Sequence, residues 1–266
     1  MQPSGIITIT TDFGHKGPFA AVMKGVILGR FPDARVVDLA HDIPAQWPPE
    51  AGFWVRHAYK YFPKGTVHVA IVDPGVGTER EILLVEYDDH VFIAPDNGLL
   101  GRLLDDADDA DIYHLDASRL ARLGIDNPSA TFHGRDIFAP LAAELAADRI
   151  NVADVGRPTL DWTPGWLDDP EVDHDSVTGA IVTVDAFGNL ISNIDQRALA
   201  SFDNPIALIG GHKIQMLQTY GRAKPGDFLA LINSFGVVEI AKAEGSAAEG
   251  LGLERGAPLT IRDSED

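Results

Sequence analysis

Val72-Asp73-Pro74-Gly75-Val76-Gly77-Thr78-Glu79-Arg80 decides how the rest of the chain is read. It continues an apolar, β-branched run that begins at Val67 and is bounded at its far end by Pro63 and Gly65, so residues 67–72 are expected to form a buried strand. Pro74, Gly75 and Gly77 cannot extend that strand. They force a turn in which glycine permits positive φ and a close backbone approach. Asp73 therefore closes a buried strand, the place where an open α/β sheet binds its ligands. Arg80 lies seven residues on, across a loop able to fold back toward Asp73. Such a pair can position a small polar reactant, but ion pairs that merely staple a loop are common, and the pair alone leaves both uses open.

Outward from this stretch the chain alternates. Residues 6–10 (Ile-Ile-Thr-Ile-Thr) read as a first strand, and Thr11-Asp12-Phe13-Gly14-His15-Lys16-Gly17-Pro18 is a turn that opens a helix over 19–31. Ala20, Val22, Met23, Val26 and Ile27 give that helix its apolar face, and Pro32-Asp33 ends it. A second strand over 35–39 delivers Asp38, His41 and Asp42 to a loop, and a helix over 49–61 leads back to the strand before Asp73. This β-α-β-α-β order predicts a parallel sheet with right-handed crossovers. Further strands fit 82–87 and 90–94, followed by the turn Pro95-Asp96-Asn97-Gly98. Helical patterning returns over 99–104 and, after Thr131-Phe132-His133-Gly134-Arg135, over 136–147.

The pattern then changes. Residues 160–175 carry Trp162, Pro164, Trp166 and Pro170 among acids, which reads as a connection between domains. Beyond it, 179–184, 190–194, 205–209, 212–217, 228–232, 237–241 and 258–261 are short strands separated by turns, as in a small β-barrel or sandwich. The expected organisation is an α/β amino-terminal domain over 1–165, a linker over 166–176 and a carboxyl-terminal β-barrel domain over 177–266. No internal repeat is visible.

Composition narrows the function classes. The chain has 266 residues, 45% of them hydrophobic, enough to bury a full core. It has no cysteine, which excludes a disulfide scaffold, a thiolate metal site and a cysteine nucleophile. The first residues show no basic segment followed by a long apolar core, and no apolar run reaches the roughly 18 to 20 residues of a membrane span, so a soluble cytoplasmic protein is expected. Forty acidic residues against 21 basic ones give a formal net charge of -19, a field that repels nucleic acid and suits neutral or cationic partners. The same excess can serve solubility alone. The run Leu104-Asp105-Asp106-Ala107-Asp108-Asp109-Ala110-Asp111 reads as a solvated face, since it lacks a glycine-kinked ligand loop.

Polar candidates gather in the turns: Asp12, Asp73 with Arg80, Asn97, His133 with Arg135 and Asp136, Asp185 with Asn189, and Asn233 with Ser234. Each has a structural alternative. Asp12 and Asp96 suit Asx turns, Asp136 suits a helix amino terminus and Asn189 suits a left-handed turn. A metal hydrolase could draw on Asp12, Asp38, His41, Asp73, Asp96 and His133, but no His-x-x-x-His or Asp-x-His spacing occurs among these six. No metal site is therefore assigned. Gly-x-Gly-x-x-Gly after the first strand, a Walker loop and Gly-x-Ser-x-Gly are all absent.

Six separated motifs resemble one family. They are Thr11-Asp12-Phe13-Gly14, the stretch 72–80, Ala94-Pro95-Asp96-Asn97-Gly98-Leu99-Leu100, Thr131-Phe132-His133-Gly134-Arg135-Asp136-Ile137-Phe138-Ala139-Pro140, Asp185-Ala186-Phe187-Gly188-Asn189 and Asn233-Ser234-Phe235-Gly236. In this order they are similar to the S-adenosyl-L-methionine hydroxide adenosyltransferases, relatives of fluorinating and chlorinating enzymes that use the same substrate. The resemblance implies an α/β domain joined to a β-barrel, a homotrimer, and a site between one subunit's first domain and its neighbour's second. It implies S-adenosyl-L-methionine as substrate rather than cofactor, hydrolysed to adenosine and L-methionine, with no cofactor, nucleic acid or membrane partner. It places the water-activating trio on Asp73, Arg80 and His133. Asp12 falls where the ribose hydroxyls are gripped, Asn189 where adenine is read, and Asp185 and Ser234 at the methionine end; Trp47 and Phe187 fall beside the substrate. Gly17 stands where relatives commonly have an acid, and Phe235 replaces the arginine that halogenating members place on the substrate carboxylate. An ionised Asp73 would repel a halide and welcome water. The alternatives are a chlorinase-like halogenase and a non-catalytic binder of adenosine or S-adenosyl-L-methionine in which the trio is only a loop staple.

Overall fold

The structure, a computed structural model, describes residues 2–264. The chain divides into two compact units, the first ending at Trp166 and the second beginning at Leu167.

The first unit is built on a seven-stranded sheet in the order β2-β1-β3-β5-β4-β6-β7. Its parallel part comprises β1 (Ile6–Thr11), β2 (Arg35–Ala40), β3 (Val67–Ile71) and β5 (His90–Pro95). The expected β-α-β-α-β order is present, with α1 (Phe19–Arg30) after β1 and α2 (Pro48–Ala58) after β2. β3 and β5 are buried along their whole length, which is why they read as continuous apolar runs and not as alternations. β4 (Ile82–Tyr87) turns back antiparallel on β5 through Asp88 and Asp89, both with positive φ (49° and 60°), a pairing that suits the twist of a two-residue hairpin. After α3 (Gly101–Leu104), β6 (Asp111–Leu115) and β7 (Gly156–Pro158) extend the sheet antiparallel beyond β4. These two strands were not anticipated: Asp111-Ile112-Tyr113-His114-Leu115 begins inside the acidic run, and β6 is only half-buried. A π-helical turn, Gly134–Phe138, opens into α4 (Ala139–Ala146), and the short α5 (Val152–Val155) precedes β7. One apolar layer under α1 and α4 includes Ile7, Ile9, Met23, Ile27, Phe138 and Leu141. The opposite layer, under α2, includes Val55, Val72, Leu83 and Phe92.

β1 sends its connection toward β2, whereas β3 sends its connection toward β4 and β5 on the other side. The carboxyl ends of β1 and β3 therefore flank the point where the winding reverses, the crevice in which open α/β sheets hold ligands. Asp12 follows β1 directly, and Asp73 lies two residues beyond β3.

The second unit is an eight-stranded antiparallel arrangement. Its main path runs β12-β11-β15-β9-β10-β14-β13. The strands are β9 (Ser176–Val184), β10 (Leu190–Asp195), β11 (Pro205–Ile209), β12 (His212–Gln215), β13 (Phe228–Ile232), β14 (Val237–Lys242) and β15 (Pro258–Asp263). β8 (Glu171–Val172) pairs with β9 off this path. The end strands come back together through a bridge between Met216 and Ala230, so the sheet is a nearly closed barrel. Val177, Ile181, Leu190, Ala230, Val238, Ile240 and Ile261 fill its interior, and the short helix α6 (Ala247–Leu251) packs its Ala247 into the same core.

Candidate active site

The loop after β3 is wound tightly, with the Val76 N–H donating to the Asp73 carbonyl and the Thr78 hydroxyl to the Gly75 carbonyl at 2.7 Å. It turns Arg80 back so that Nε lies 2.9 Å from both Asp73 carboxylate oxygens, and a terminal guanidinium nitrogen also donates to Asp73 Oδ2. The two side chains are 5% and 10% exposed, so the pair is taken out of water. A pair buried to this degree costs desolvation and is weak grounds for stability, so its presence asks for another use.

The same guanidinium terminus lies 3.2 Å from His133 Nδ1. A guanidinium can only donate, so Nδ1 accepts and the imidazole carries its proton on Nε2. Burial, and secondarily the charge of Arg80, holds His133 below the usual imidazole value. The Arg80 guanidinium also sits over the Phe138 ring, 5.8 Å from its centre. His133 immediately precedes the π-helical turn, and turns of this kind are frequent at functional sites.

Gly77 explains how two loops fifty residues apart meet. Its φ is +77°, and a Cβ there would lie 2.0 Å from the Ala130 carbonyl oxygen, so only glycine lets the 73–80 loop press against the segment leading to Phe132 and His133. Asp136 and Arg135, candidates in the sequence, pair with each other, and Asp136 accepts the Ser129 N–H at 2.9 Å. They brace this segment. Asn97 is likewise a brace, donating 2.8 Å to the Val72 carbonyl at the end of β3. Phe13, Phe19, Ser129, Thr131, Phe132 and Arg135 line an aromatic cavity of about 620 Å³ beside the segment.

Asp12 accepts the Gln46 N–H at 3.1 Å, which joins the turn after β1 to the loop carrying Trp47. Burial raises the Asp12 carboxyl above its usual value, and the negative charge of Asp73 adds to that. Two carboxylates thus share one end of the sheet, an environment that favours a cation. Trp47 is half-buried with its ring edge-on to Trp166, 5.9 Å between centres.

In the second unit, Asp185 Oδ1 accepts the N–H groups of Phe187 and Asn189, and Oδ2 accepts the Asn189 amide, all at 2.9 Å. Phe187 projects from the tip of this turn with 80% exposure. Ser234 is exposed in the turn closed by Asn233, whose Oδ1 accepts the Phe235 N–H at 2.9 Å. Sequence reasoning missed what lies underneath. Buried Glu239 accepts from Tyr220 Oη at 2.6 Å and Asn233 Nδ2 at 3.2 Å. Its only sequence signal was an acid inside the apolar run 237–241. Among the described residues no three His, Asp or Glu side chains converge as a metal site. Of the six residues weighed as metal ligands, Asp38 pairs with His41, Asp73 and His133 meet through Arg80, Asp12 accepts the Gln46 N–H and Asp96 pairs with His114.

The chain matches the profile of the SAM hydroxide adenosyltransferase N-terminal domain over residues 7–156 and of its C-terminal domain over 179–260. A relative from Thermus thermophilus, named (R)-S-adenosyl-L-methionine hydrolase, is 36% identical over 263 residues, covering 94% of this chain and 97% of its own length. A fluorinase from an Actinoplanes species is more distant, at 24% identity with 96% of this chain and 97% of its own length covered. The crystal structure of an uncharacterized conserved protein from Thermotoga maritima superposes with a TM-score of 0.87 at 31% identity, covering 96% of this chain and 99% of that one. With both domain profiles matched in order and a relative of this identity aligned over nearly its whole length, the chain belongs to the SAM hydroxide adenosyltransferase family.

Proposed function

We propose that this protein hydrolyses S-adenosyl-L-methionine to adenosine and L-methionine, with one water held by Asp73, Arg80 and His133 as the nucleophile. The observation that carries the reading is the buried Asp73–Arg80–His133 constellation, drawn from two distant loops at the carboxyl end of the sheet. Relatives named for this hydrolysis support it.

The chemistry needs little more. Water oxygen forms a bond to the ribose C5′ while the C5′–S bond breaks, and its electron pair stays on sulfur to give the neutral thioether of methionine. The leaving group therefore needs no acid, and no cofactor is required. One water proton leaves for solvent, so the substrate's positive charge is returned as a proton. Holding the water in line lowers the barrier by several kcal/mol, and base assistance adds roughly 10²- to 10⁴-fold. With Arg80 donating to its Nδ1, His133 offers Nε2–H to the water oxygen, which leaves the Asp73 carboxylate as the acceptor of the water's proton. Arg80 fixes both partners.

Asp12 is assigned to the ribose hydroxyls, Trp47 and Phe187 to the faces of the substrate, Asn189 to adenine, and Asp185 with Ser234 to the methionine end. We assign the working assembly as a homotrimer, which light scattering on a sizing column tests. The domain limits we assign are 1–165 and 177–266, joined by 166–176.

Incubation with S-adenosyl-L-methionine should yield adenosine and methionine in equal amounts, with one proton released per turnover. Asp73→Asn should abolish turnover while leaving substrate binding measurable by calorimetry. Near-normal turnover by that variant would defeat the assignment, and a halide-dependent 5′-halo-adenosine would replace it with halogenation.

A further inference from the structure

His41 follows β2 with its side chain 1% exposed, and both its ring nitrogens are engaged. Nδ1 is 2.7 Å from Thr11 Oγ1, and Nε2 is 2.8 Å from Asp38 Oδ1. The Asp38 carboxylate can only accept, so Nε2 carries the imidazole proton; in the neutral ring Nδ1 then accepts from the Thr11 hydroxyl, whose oxygen also accepts the Phe13 N–H at 3.2 Å. Lys24 Nζ holds the other Asp38 oxygen at 2.5 Å. The order threonine, histidine, aspartate is that of a hydrolase triad, but Thr11 is fully buried, and a nucleophile must reach its substrate.

The chain of contacts ends instead at the Phe13 N–H, so it grips the backbone on both sides of Asp12, the residue between Thr11 and Phe13. Thr11 is the last residue of β1, and the turn after it is closed by the Gly14 N–H donating 2.8 Å to the His41 carbonyl. His41 thus grips this turn twice, through its ring and through its backbone. A plug for two strand ends would be less costly as an apolar residue, since a buried imidazole must have both nitrogens satisfied. We propose that Thr11, His41 and Asp38 are positioning residues for Asp12, holding its carboxylate so that it accepts both vicinal hydroxyls of a ribose. This rests on the nucleoside reading of the site given above.

Thr11→Val removes the hydroxyl at constant volume, and Thr11→Ser restores it. Thr11→Val should raise KM for S-adenosyl-L-methionine about tenfold with kcat held within about twofold, the size of effect expected when a buried hydrogen bond is lost away from the reacting atoms. The decisive readout is the preference for adenosine over 2′-deoxyadenosine, measured by calorimetry. Thr11→Val should shrink that preference severalfold and Thr11→Ser should recover it, whereas a role confined to folding would move both nucleosides together. Asp38→Asn, at the solvent end of the relay, should shrink it in the same direction and serves if Thr11→Val does not fold. A preference unchanged in both variants overturns the relay, as does a wild-type protein that binds neither nucleoside. A wild-type protein that binds adenosine but does not turn over S-adenosyl-L-methionine overturns the hydrolysis alone, and the preference ratio still judges the relay.

Discussion

Arg80 serves three partners at once: the Asp73 carboxylate, His133 Nδ1 and the Phe138 ring. Only a planar fork with several donors can do so, because a lysine ammonium is a compact point charge. Arg80→Lys should therefore keep the local charge yet release His133, and kcat should fall about 10²-fold, the scale of a misplaced catalytic group. Steady-state rates check this, and a variant within threefold of wild type would remove the need for the fork. The same contact sets the protonation of His133. Its folded value lies below the ordinary imidazole value of 6.5, through burial first and Arg80 second, so the neutral ring persists as pH falls past that point. An NMR titration of the His133 ring should give a midpoint below 6.5 in the wild type and a higher one in Arg80→Gln. A wild-type midpoint above 6.5 contradicts the assigned bond.

At the scale of elements, catalysis as proposed depends on one loop resting on another, and Gly77 is where they touch. Gly77→Ala forces a side chain into a positive-φ site and against the Ala130 carbonyl, which should cost about 1 to 3 kcal/mol of stability. Because any relief moves the 73–80 loop away from His133, turnover should fall by more than the folded fraction does. A melting curve read beside kcat separates the two, and equal losses would mean that the contact only stabilises. Much of this was legible in the chain: the apolar run before Asp73 and the glycine turn after it fixed a strand end and a loop. The meeting of Arg80 with His133 was legible only through the family motifs, since no periodicity relates positions 53 residues apart. The π-helical turn was hidden because 136–147 fits an ordinary helical period, and the widened turn depends on what packs around it. Thr11 ends β1 while Asp38 lies in β2 and His41 just beyond it, so only the parallel pairing of the two strands brings Thr11 to the other two, and the relay left no local signature.

Across the whole molecule the two units should respond unequally to mild acid, because buried histidines in the first outweigh the partial offset from its raised Asp12 and Glu86 carboxyls. In the first, His68 sits inside the sheet, 2.8 Å from Thr8 Oγ1 and 3.1 Å from His90 Nδ1, stacked on Phe92 at 5.0 Å. Burial, and then the charge of His90, lowers its value to about 3. Its unfolded value is near 6.5, so the unfolded chain binds a proton that the fold refuses, and stability present above 6.5 is lost as pH falls below it. The loss approaches about 1.4 kcal/mol for each pH unit below that point. His90 is lowered by burial as well and acts in the same direction. In the second unit burial raises Glu239 above 4.5, so its folded state accepts a proton more readily than the unfolded chain, and that unit gains as pH falls toward 4.5. Shedding part of the formal charge of -19 relieves repulsion in both units, which makes their difference the informative quantity. Hydrogen-exchange protection factors between pH 7 and 4.5 should therefore drop in Val67–Ile71 and His90–Pro95 while those of Val237–Lys242 hold or rise. His68→Gln, which cannot titrate, should flatten the drop in the first unit and leave the second untouched. Parallel loss in both units, or an unchanged slope in that variant, would show that the buried histidines do not govern acid stability.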